Sequence, residues 1–599
     1  MFAEKNIGVL TKNQFHWIAS LTEDVIHPTF MDKKSDLEEI FQTRDDGLIR
    51  LKDEIDDKFK LNPLKKEVIF VFGINSIIEL EWINTGKHKD SVMVIIEPNP
   101  TFFSYVLSNK DLRHLFKNDN VLLFVDDKIE NLNLFLQGIF YEFKYLQYLK
   151  NTSVYFTYFY RNFELDKTKS IVTILRQVIA TLLFSIGTDI EDNLIGLERN
   201  ISNLPYIKQS KDITKFKNIY NGLPAIIVAA GPSLNKNIQE IRNAKAKAII
   251  IAVDTIVKRL LEEGITPDFV CSIERVSEVY DYFYKDLDLP ITTAIVGSPV
   301  LDSRIFENTK SPIIIPFRQG VEESRWMQKM LKLPSETAIS MGYSCANLAF
   351  SIAHHLGCSP IVFVGQDLAF GKDTKETHAS GTKYDEQLSA NVLEPSIEWT
   401  DGYHDNQVKT TKIWLQFKLW FEQHIAENSI FAINATEGGA RINYTKQMSL
   451  EETIEKYCVK EVPSISGVIE KIKLYSIDSV RLVDTLNKEI KLYTKIKQLC
   501  ESYLKNLELI SIKEIKNIKN TNNTLEEFHK FLSGIIQHPL LLHNLQSIFL
   551  QYYWKYNSRE QIIDVEYIRE EIYEQKKFLV TIIDVIDRIV TIISKPLSK

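Results

Sequence analysis

The chain has 599 residues, 44% of them hydrophobic and 25% charged, and its 79 acidic against 72 basic side chains leave a formal net charge of −7. This composition excludes a disordered or low-complexity polymer, and the acidic balance speaks against a dedicated nucleic-acid binder. At about 100–200 residues per domain the length predicts roughly three to four domains, each able to bury a core without staples.

Cys271, Cys345, Cys358, Cys458 and Cys500 show neither CxxC nor zinc spacing, so they read as reduced thiols of a cytoplasmic protein. The first residues lack the basic and apolar segments of a signal peptide. No apolar run reaches the roughly 18 residues of a membrane span. Phe578 to Ser594 comes nearest, but Asp584, Asp587 and Arg588 interrupt it, so an amphipathic helix and no membrane insertion are expected.

In chain order, the first region (1–205) opens on polar, helical-looking sequence and then turns β/α. Three apolar runs follow: Val68–Phe72 closed by Gly73, Val92–Ile96 ending at Glu97, and Val121–Val125 ending at Asp126. This outlines a nucleotide-binding α/β unit. The turn Phe72–Ser76 holds one glycine where the dinucleotide fingerprint needs three. A structural domain without a cofactor is expected, with a degenerate ligand site as the alternative.

The second region (206–450) carries most of the distinctive glycines. Pro224–Ala230 predicts a buried strand, followed by Gly231-Pro232-Ser233 and a helix through Arg242. Ala246–Val253 predicts a strand ending at Asp254, Thr255–Glu263 a helix, and Phe269–Ile273 a strand ending at Glu274. Ile291–Val296, Ile313–Ile315 and Ile361–Val364 follow, the last running into Gly365, Gln366 and Asp367. Alternating short strands and helices predict a Rossmann-like parallel sheet covered on both faces. Such sheets bind ligands beyond the carboxyl ends of their strands, at a topological switch point. That rule gathers Gly231–Ser233, Asp254, Glu274 and Gly365–Asp367 around one crevice.

The third region (451–599) has no glycine or proline between Gly467 and Gly534, nor any between Pro539 and Pro596. Its apolar residues recur at helical spacing. An all-α bundle is expected, with breaks at Asn520–Asn523 and His538–Pro539; a docking surface for a protein partner is the alternative reading.

The Gly-Pro-Ser turn has the makings of an anion-binding helix start: glycine admits a close ligand, proline suits the first turn, and serine presents a hydroxyl. Asp254 and Glu274 suit ribose hydroxyls or a base amine, so the crevice favours a nucleotide-containing ligand. Gly365–Lys372 approaches a P-loop but has five intervening residues and ends in Asp373, without the magnesium-binding hydroxyl. His354 and His355 read as packing or surface residues, and Asp286 and Asp288 as linker acids rather than a metal-holding pair. His378 lies in the small polar loop Thr377–Thr382, just past a strand end, where function often sits.

At this point a family resemblance is specific. The stretch Asn221–Leu234 (NGLPAIIVAAGPSL) resembles the signature of the motility accessory factor glycosyltransferases. So do Ile251–Asp254, Gly264–Asp268, Gly365–Ala369, Thr377–Gly381 and Asn434–Arg441, all in order. The resemblance implies transfer of a nonulosonic acid (pseudaminic, legionaminic or related) from its CMP-activated form to flagellin serines and threonines in the cytoplasm. The partners are then flagellin and the CMP-sugar, with no nucleic acid, and no cofactor or metal is required. The central region is also distantly similar to bacterial sialyltransferases. That similarity matches their Asn-Gly-Pro-Ser to Ala230–Ser233, their strand-end asparagines to Asp254 and Glu274, and their Thr-Ser-Gly turn to the neighbourhood of Ser340, Gly342 and Ser344. It matches their Gly-Ile-Asp to Gly365, Gln366 and Asp367 and places their phosphate-supporting tyrosine near His378, in the loop that Gly381 closes and that is also expected to bind the donor. Their general-base histidine, which precedes a helix, falls at His404. An archaeal pterin pyrophosphokinase is another relative of the central region. Two alternatives therefore stand beside the glycosyltransferase: a pyrophosphokinase, and a non-catalytic flagellin- or sugar-nucleotide-binding accessory protein.

Overall fold

The computed structural model describes Lys5 and residues 61–597, apart from 75–76, 129–130, 141, 186–188, 373–375, 384–396, 405–406, 513–517, 536 and 561. The chain forms two compact units. The first takes residues up to 189 with 502–531 and 545–581, and the second takes 190–501 with 532–544 and 582–599.

In the first unit, β1 (Val68–Phe72), β2 (Val92–Glu97), β3 (Val121–Val125) and β4 (Thr152–Phe156) form a parallel sheet in the order β3-β2-β1-β4. Successive residues feed opposite cores. Ile69, Val71, Met93 and Ile95 pack on one face, and Val68, Phe70, Phe72 and Val94 on the other. Burial on both faces is why these strands read as continuous apolar runs. β4 is half-exposed at the edge, and its polar start, Thr152 and Ser153, leaves it without a continuous apolar run. Glu97 is fully buried at the end of β2 and accepts from Ile74 N–H (2.9 Å), Asn99 N–H (2.8 Å) and the Tyr160 hydroxyl (2.5 Å). Burial pushes its carboxyl up to about 7 against the pull of those three bonds. The strand-end acid thus closes its own Gly73 turn.

The second unit holds an eight-stranded, wholly parallel sheet. Its strands are β5 (Ala225–Val228), β6 (Ile249–Val253), β7 (Phe269–Ser272), β8 (Ala294–Gly297), β9 (Ile313–Ile314), β12 (Ile361–Val364), β15 (Ala432–Asn434) and β16 (Thr445–Gln447). They lie in the order β16-β15-β12-β5-β6-β7-β8-β9. Two small sheets stand apart: β10 (Phe317–Arg318) with β11 (Ala338–Ile339), and the antiparallel hairpin of β13 (Ile397–Asp401) and β14 (Gln407–Thr411). Helix Cys345–His355 packs on β5, β6 and β7. Its terminal His355 bonds the Ile213 carbonyl (2.9 Å) and His354 packs on His424, so this pair is packing.

The expected α/β architecture with a helical C-terminal region is therefore present, with local corrections. The expected helix through Arg242 is one α-turn, Leu234–Asn237, followed by a 3₁₀ stretch, Ile238–Ala244. Asn237 turns its amide to the Ala435 carbonyl (3.3 Å), a competing bond that interrupts the α-ladder. The strand expected from Ile291 begins at Ala294, because residues 290–293 close a turn through Thr293 N–H to the Pro290 carbonyl. Asn520–Asn523 is no break: it lies inside helix Ile518–Ile535, and Asn helix propensity is only mildly unfavourable. The break before Pro539 is observed, with Pro539 opening helix Pro539–Ser558. All five cysteines are free thiols, and no helix among the described residues is long and apolar enough to cross a membrane.

Candidate functional site

The strand order makes β5 and β12 neighbours, with β6–β9 added on one side and β15 and β16 on the other. Their connections leave in opposite directions, which is the switch-point arrangement. The two signature turns meet here. Gly231 N–H donates to the Gly365 carbonyl (2.7 Å). Ser233 donates its N–H (2.9 Å) and its hydroxyl (2.6 Å) to the two carboxylate oxygens of Asp367. The Asp367 carbonyl accepts from Ala440 N–H (2.7 Å), bringing in the Asn434–Arg441 motif. A methyl group at Gly231 would overlap the Asp367 carboxylate, and one at Gly439 the Asp367 backbone, so both positions demand glycine. Asp367 is buried, which raises its carboxyl to about 6 although the Ser233 bonds pull it down.

The turn differs from a free anion-binding helix start. Gly231 and Ser233 N–H are engaged as described, and Leu234 and Asn235 N–H bond back to Gly231 and Pro232. Pro232 has none to offer. The Asp367 carboxylate occupies the place an anion would take.

The His378 loop is fastened to the same turn. Ala379 N–H donates to the Ala230 carbonyl (2.8 Å). The Asn235 amide oxygen accepts from Ser380 N–H (3.2 Å) and from Arg259 (2.5 Å), which also reaches the Ser380 carbonyl (2.6 Å). His378, half-buried, shares a 2.9 Å bond between its Nδ1 and the Thr377 hydroxyl. Gly381 follows in the left-handed region.

Asp254 opens helix Asp254–Glu262 at the end of β6 and is buried. It accepts from Thr255 N–H (2.8 Å), the Ser272 hydroxyl (2.5 Å) and the Cys345 thiol (3.5 Å). Ser272 also lies 2.7 Å from the Tyr284 hydroxyl. Burial raises the Asp254 carboxyl, opposed by its Ser272 and Thr255 bonds. Burial and the Asp254 charge together push the thiol of Cys345 well up. Glu274, at the end of β7, is exposed. Ser344 caps helix Cys345–His355, its hydroxyl accepting from Asn347 N–H (3.1 Å). Gly342 has φ +58° against Asn347, its carbonyl accepting from Arg318. Ser340 follows β11, half-buried. Thus Ser344 and Asp254 meet through Cys345, while Glu274 faces solvent beside them.

His404 does not directly precede a helix. It lies in the turn of the β13–β14 hairpin beside Tyr403, and the next helix, Lys412–Glu427, starts only after β14. The hairpin pairing of Trp399 with Lys409 consumes the residues between them. Gly402 nonetheless bridges to Ala440 and Tyr403 N–H donates to the Gly439 carbonyl (2.8 Å), so the turn is tied to the segment that holds Asp367. Asp405 lies outside the described residues.

Sequence reasoning missed Asn235 and Arg259, which clamp the His378 loop, and the Ser272–Tyr284 pair behind Asp254. Only the nearness of Asn235 to the Gly-Pro-Ser turn could have marked it; Tyr284, in a π-helical turn (Tyr280–Tyr284), left no pattern. Among the described residues no group of three or more His, Cys, Asp or Glu side chains is placed to hold a metal ion.

With this geometry in view, the comparisons are specific. The whole fold is similar to that of the Maf glycosyltransferase from Magnetospirillum magneticum AMB-1, with a TM-score of 0.53 at 15% identity over 92% of this chain and 85% of the other. Residues 198–373 match the family described as MptE-like, 6-hydroxymethylpterin diphosphokinase MptE-like. Two of the three expected resemblances are therefore found: that to the motility accessory factor glycosyltransferases as a shared fold, and that to the pterin pyrophosphokinase as a family match over residues 198–373. No curated protein matches the chain.

Proposed function

We propose that the chain is a glycosyltransferase that moves a nonulosonic acid from its CMP-activated form to serine and threonine hydroxyls of flagellin in the cytoplasm. The supporting observation is the convergence of Gly231–Ser233, Gly365–Asp367 and Thr377–Gly381 at one switch point, on a fold similar to that of a glycosyltransferase. The nucleotide lies along the ends of β5, β6 and β7, with Glu274 open to its ribose or base. The acceptor oxygen attacks the anomeric carbon, the bond from that carbon to the phosphate oxygen breaks, and CMP leaves with the bonding pair. His378 hydrogen-bonds or protonates the departing phosphate, and His404 or a substrate oxygen takes the hydroxyl proton. The scheme uses no cofactor or metal.

The match of residues 198–373 favours a second reading, a pyrophosphokinase acting on a hydroxymethylpterin. One experiment separates the readings: incubate the chain with a CMP-nonulosonate and flagellin, and separately with ATP, magnesium and 6-hydroxymethylpterin. CMP release coupled to flagellin mass gain supports the proposal. AMP release in the second mixture alone replaces it, and silence in both with flagellin binding leaves an accessory protein.

A further inference from the structure

The hairpin β13–β14 is tied to the switch point along β14 and at the far end of β13. Phe370 N–H donates to the Lys409 carbonyl (3.0 Å) and the Thr410 hydroxyl to the Leu368 carbonyl (2.7 Å), which holds β14 against the segment that follows Asp367. Arg441 N–H donates to the Asp401 carbonyl (2.8 Å) and Gly402 bridges to Ala440. These bonds fix where each backbone group points, because residues of an antiparallel pair alternate between facing the partner strand and facing away. Lys409 spends its carbonyl on Phe370 and Asp401 on Arg441, so the pairs Trp399–Lys409 and Asp401–Gln407 face away from each other. By the same alternation Ile397 faces outward too. The pairs Thr400–Val408 and Glu398–Thr410 hold the ladder together.

The N–H and C=O groups of Ile397 and Trp399 therefore line the outer edge of β13, where they have no hydrogen-bond partner among the described residues. The side chains of both are exposed, Trp399 at 59% and Ile397 at 45%. They share one face of the hairpin, where Lys409 stands over the Trp399 ring (5.7 Å). An open strand edge is a template for another chain, and native proteins normally blunt it with proline, charge or a cover. Tryptophan is among the residues that carry most of the binding energy at protein interfaces. A row of free main-chain groups selects a polypeptide, whose backbone pairs with the edge while alternate side chains meet Ile397 and Trp399. The edge also continues into the site: Gly439–Arg441 occupies its next positions, beside Asp401 to Tyr403, and Gly439 lies against the Asp367 backbone. Resting on the glycosyltransferase reading, in which the acceptor is the substrate with a main chain, we infer that β13 takes an extended segment of the acceptor protein as a third strand. The added strand continues the pairing that Gly439–Arg441 begins.

Hydrogen exchange of the full-length chain, resolved by residue over 397–401, reads the edge directly. In the chain alone the Ile397 and Trp399 amides should exchange fast while the Thr400 amide is protected by the ladder. Monomeric flagellin should slow Ile397 and Trp399 about tenfold or more. Trp399→Ala and Trp399→Pro both remove the ring, and only proline also removes the outward N–H while sparing the ladder to β14. Alanine should raise the KM for flagellin about tenfold and proline about threefold further, with kcat and CMP affinity unchanged. Fast exchange of both amides under saturating flagellin overturns the inference, as does one KM for all three proteins. Amides already slow in the chain alone overturn it too: slowing that grows with chain concentration assigns the edge to a second copy, and slowing independent of concentration to the chain itself. If Trp399→Pro does not fold, exchange in the wild type decides. A chain that releases no CMP from a CMP-nonulosonate with flagellin present sinks the glycosyltransferase reading. Transfer to flagellin with both amides unprotected sinks only the inference.

Discussion

Ser233 gives both its donors, the backbone N–H and the hydroxyl, to the carboxylate of Asp367, 134 residues further along the chain. This one relationship explains why a glycine precedes Pro232 and why Gly439 sits behind Asp367: both admit the acid's atoms. It also means that the most conspicuous motif in the sequence is a structural lock.

The lock has a pH signature. Asp367 is raised from 3.8 to about 6 in the folded chain, so the folded state binds that proton more tightly than the unfolded one. The associated stability is fully present below the unfolded value and is lost as pH rises through about 6, on the order of 3 kcal/mol by pH 8. Asp367→Asn keeps an acceptor for the Ser233 N–H and cannot ionise. Urea unfolding from pH 4 to 8 should show the variant's profile flatter than the wild type's across that window. Parallel profiles would mean that Asp367 does not titrate there.

Glu97 repeats the logic in the first unit, raised from 4.5 to about 7 by burial. The contribution of its protonated form is complete below about pH 4.5 and declines through about 7. Glu97→Gln should remove that decline, read as a smaller loss of melting temperature between pH 5 and 8. Since its bonds are taken by the Gly73 turn through Ile74, by Asn99 N–H and by Tyr160, neither NAD nor S-adenosylmethionine should shift the wild-type melt; a clear shift with either would reopen the site.

The contrast between the two units shows what the sequence carries. Strands buried on both faces, such as Val68–Phe72 and Ile249–Val253, announce themselves as unbroken apolar runs, and their terminal acids mark the edge where loops converge. The half-exposed β4 and the exposed hairpin β13–β14 have no such run, so nothing local in the sequence opposes the sialyltransferase resemblance that sets His404 before a helix rather than in a turn. Partners far apart in the chain, such as Ser233 with Asp367 or Cys345 with Asp254, leave no local trace. Spacing marked loops that the sheet gathers at its switch point, but only the folded sheet shows that Ser233 and Asp254 spend their bonds on the protein.

Asp254 should accordingly behave as a positioning residue. Asp254→Ala leaves the Ser272 hydroxyl and Thr255 N–H without their shared acceptor, and each unpaired buried group costs about 1–3 kcal/mol. The expected outcome is a lowered melting temperature together with CMP binding about tenfold weaker. Asp254→Asn should recover most of both. A variant with native stability and tenfold weaker binding would instead put Asp254 in direct contact with the nucleotide.

His378 carries the most direct prediction about chemistry. Its loop is held against the β5 turn by the Ala379–Ala230 bond and the Asn235–Arg259 clamp, and the proposed scheme has its imidazole assist the departing phosphate. An imidazole can hydrogen-bond or protonate that phosphate near neutral pH, and such assistance is worth roughly 10²–10⁴ in rate. His378→Ala should therefore lower the rate of transfer to flagellin by about that factor, with CMP affinity nearly intact because the Ala379 bond is a backbone bond. Arg259→Ala, which loosens the clamp without touching the imidazole, should give a smaller loss of the same kind. Turnover should persist in EDTA, since no step of the scheme uses a metal. Undiminished transfer by His378→Ala would return this residue to an ordinary loop histidine, and activity lost in EDTA but restored by magnesium or manganese would require a metal-held phosphate in its place.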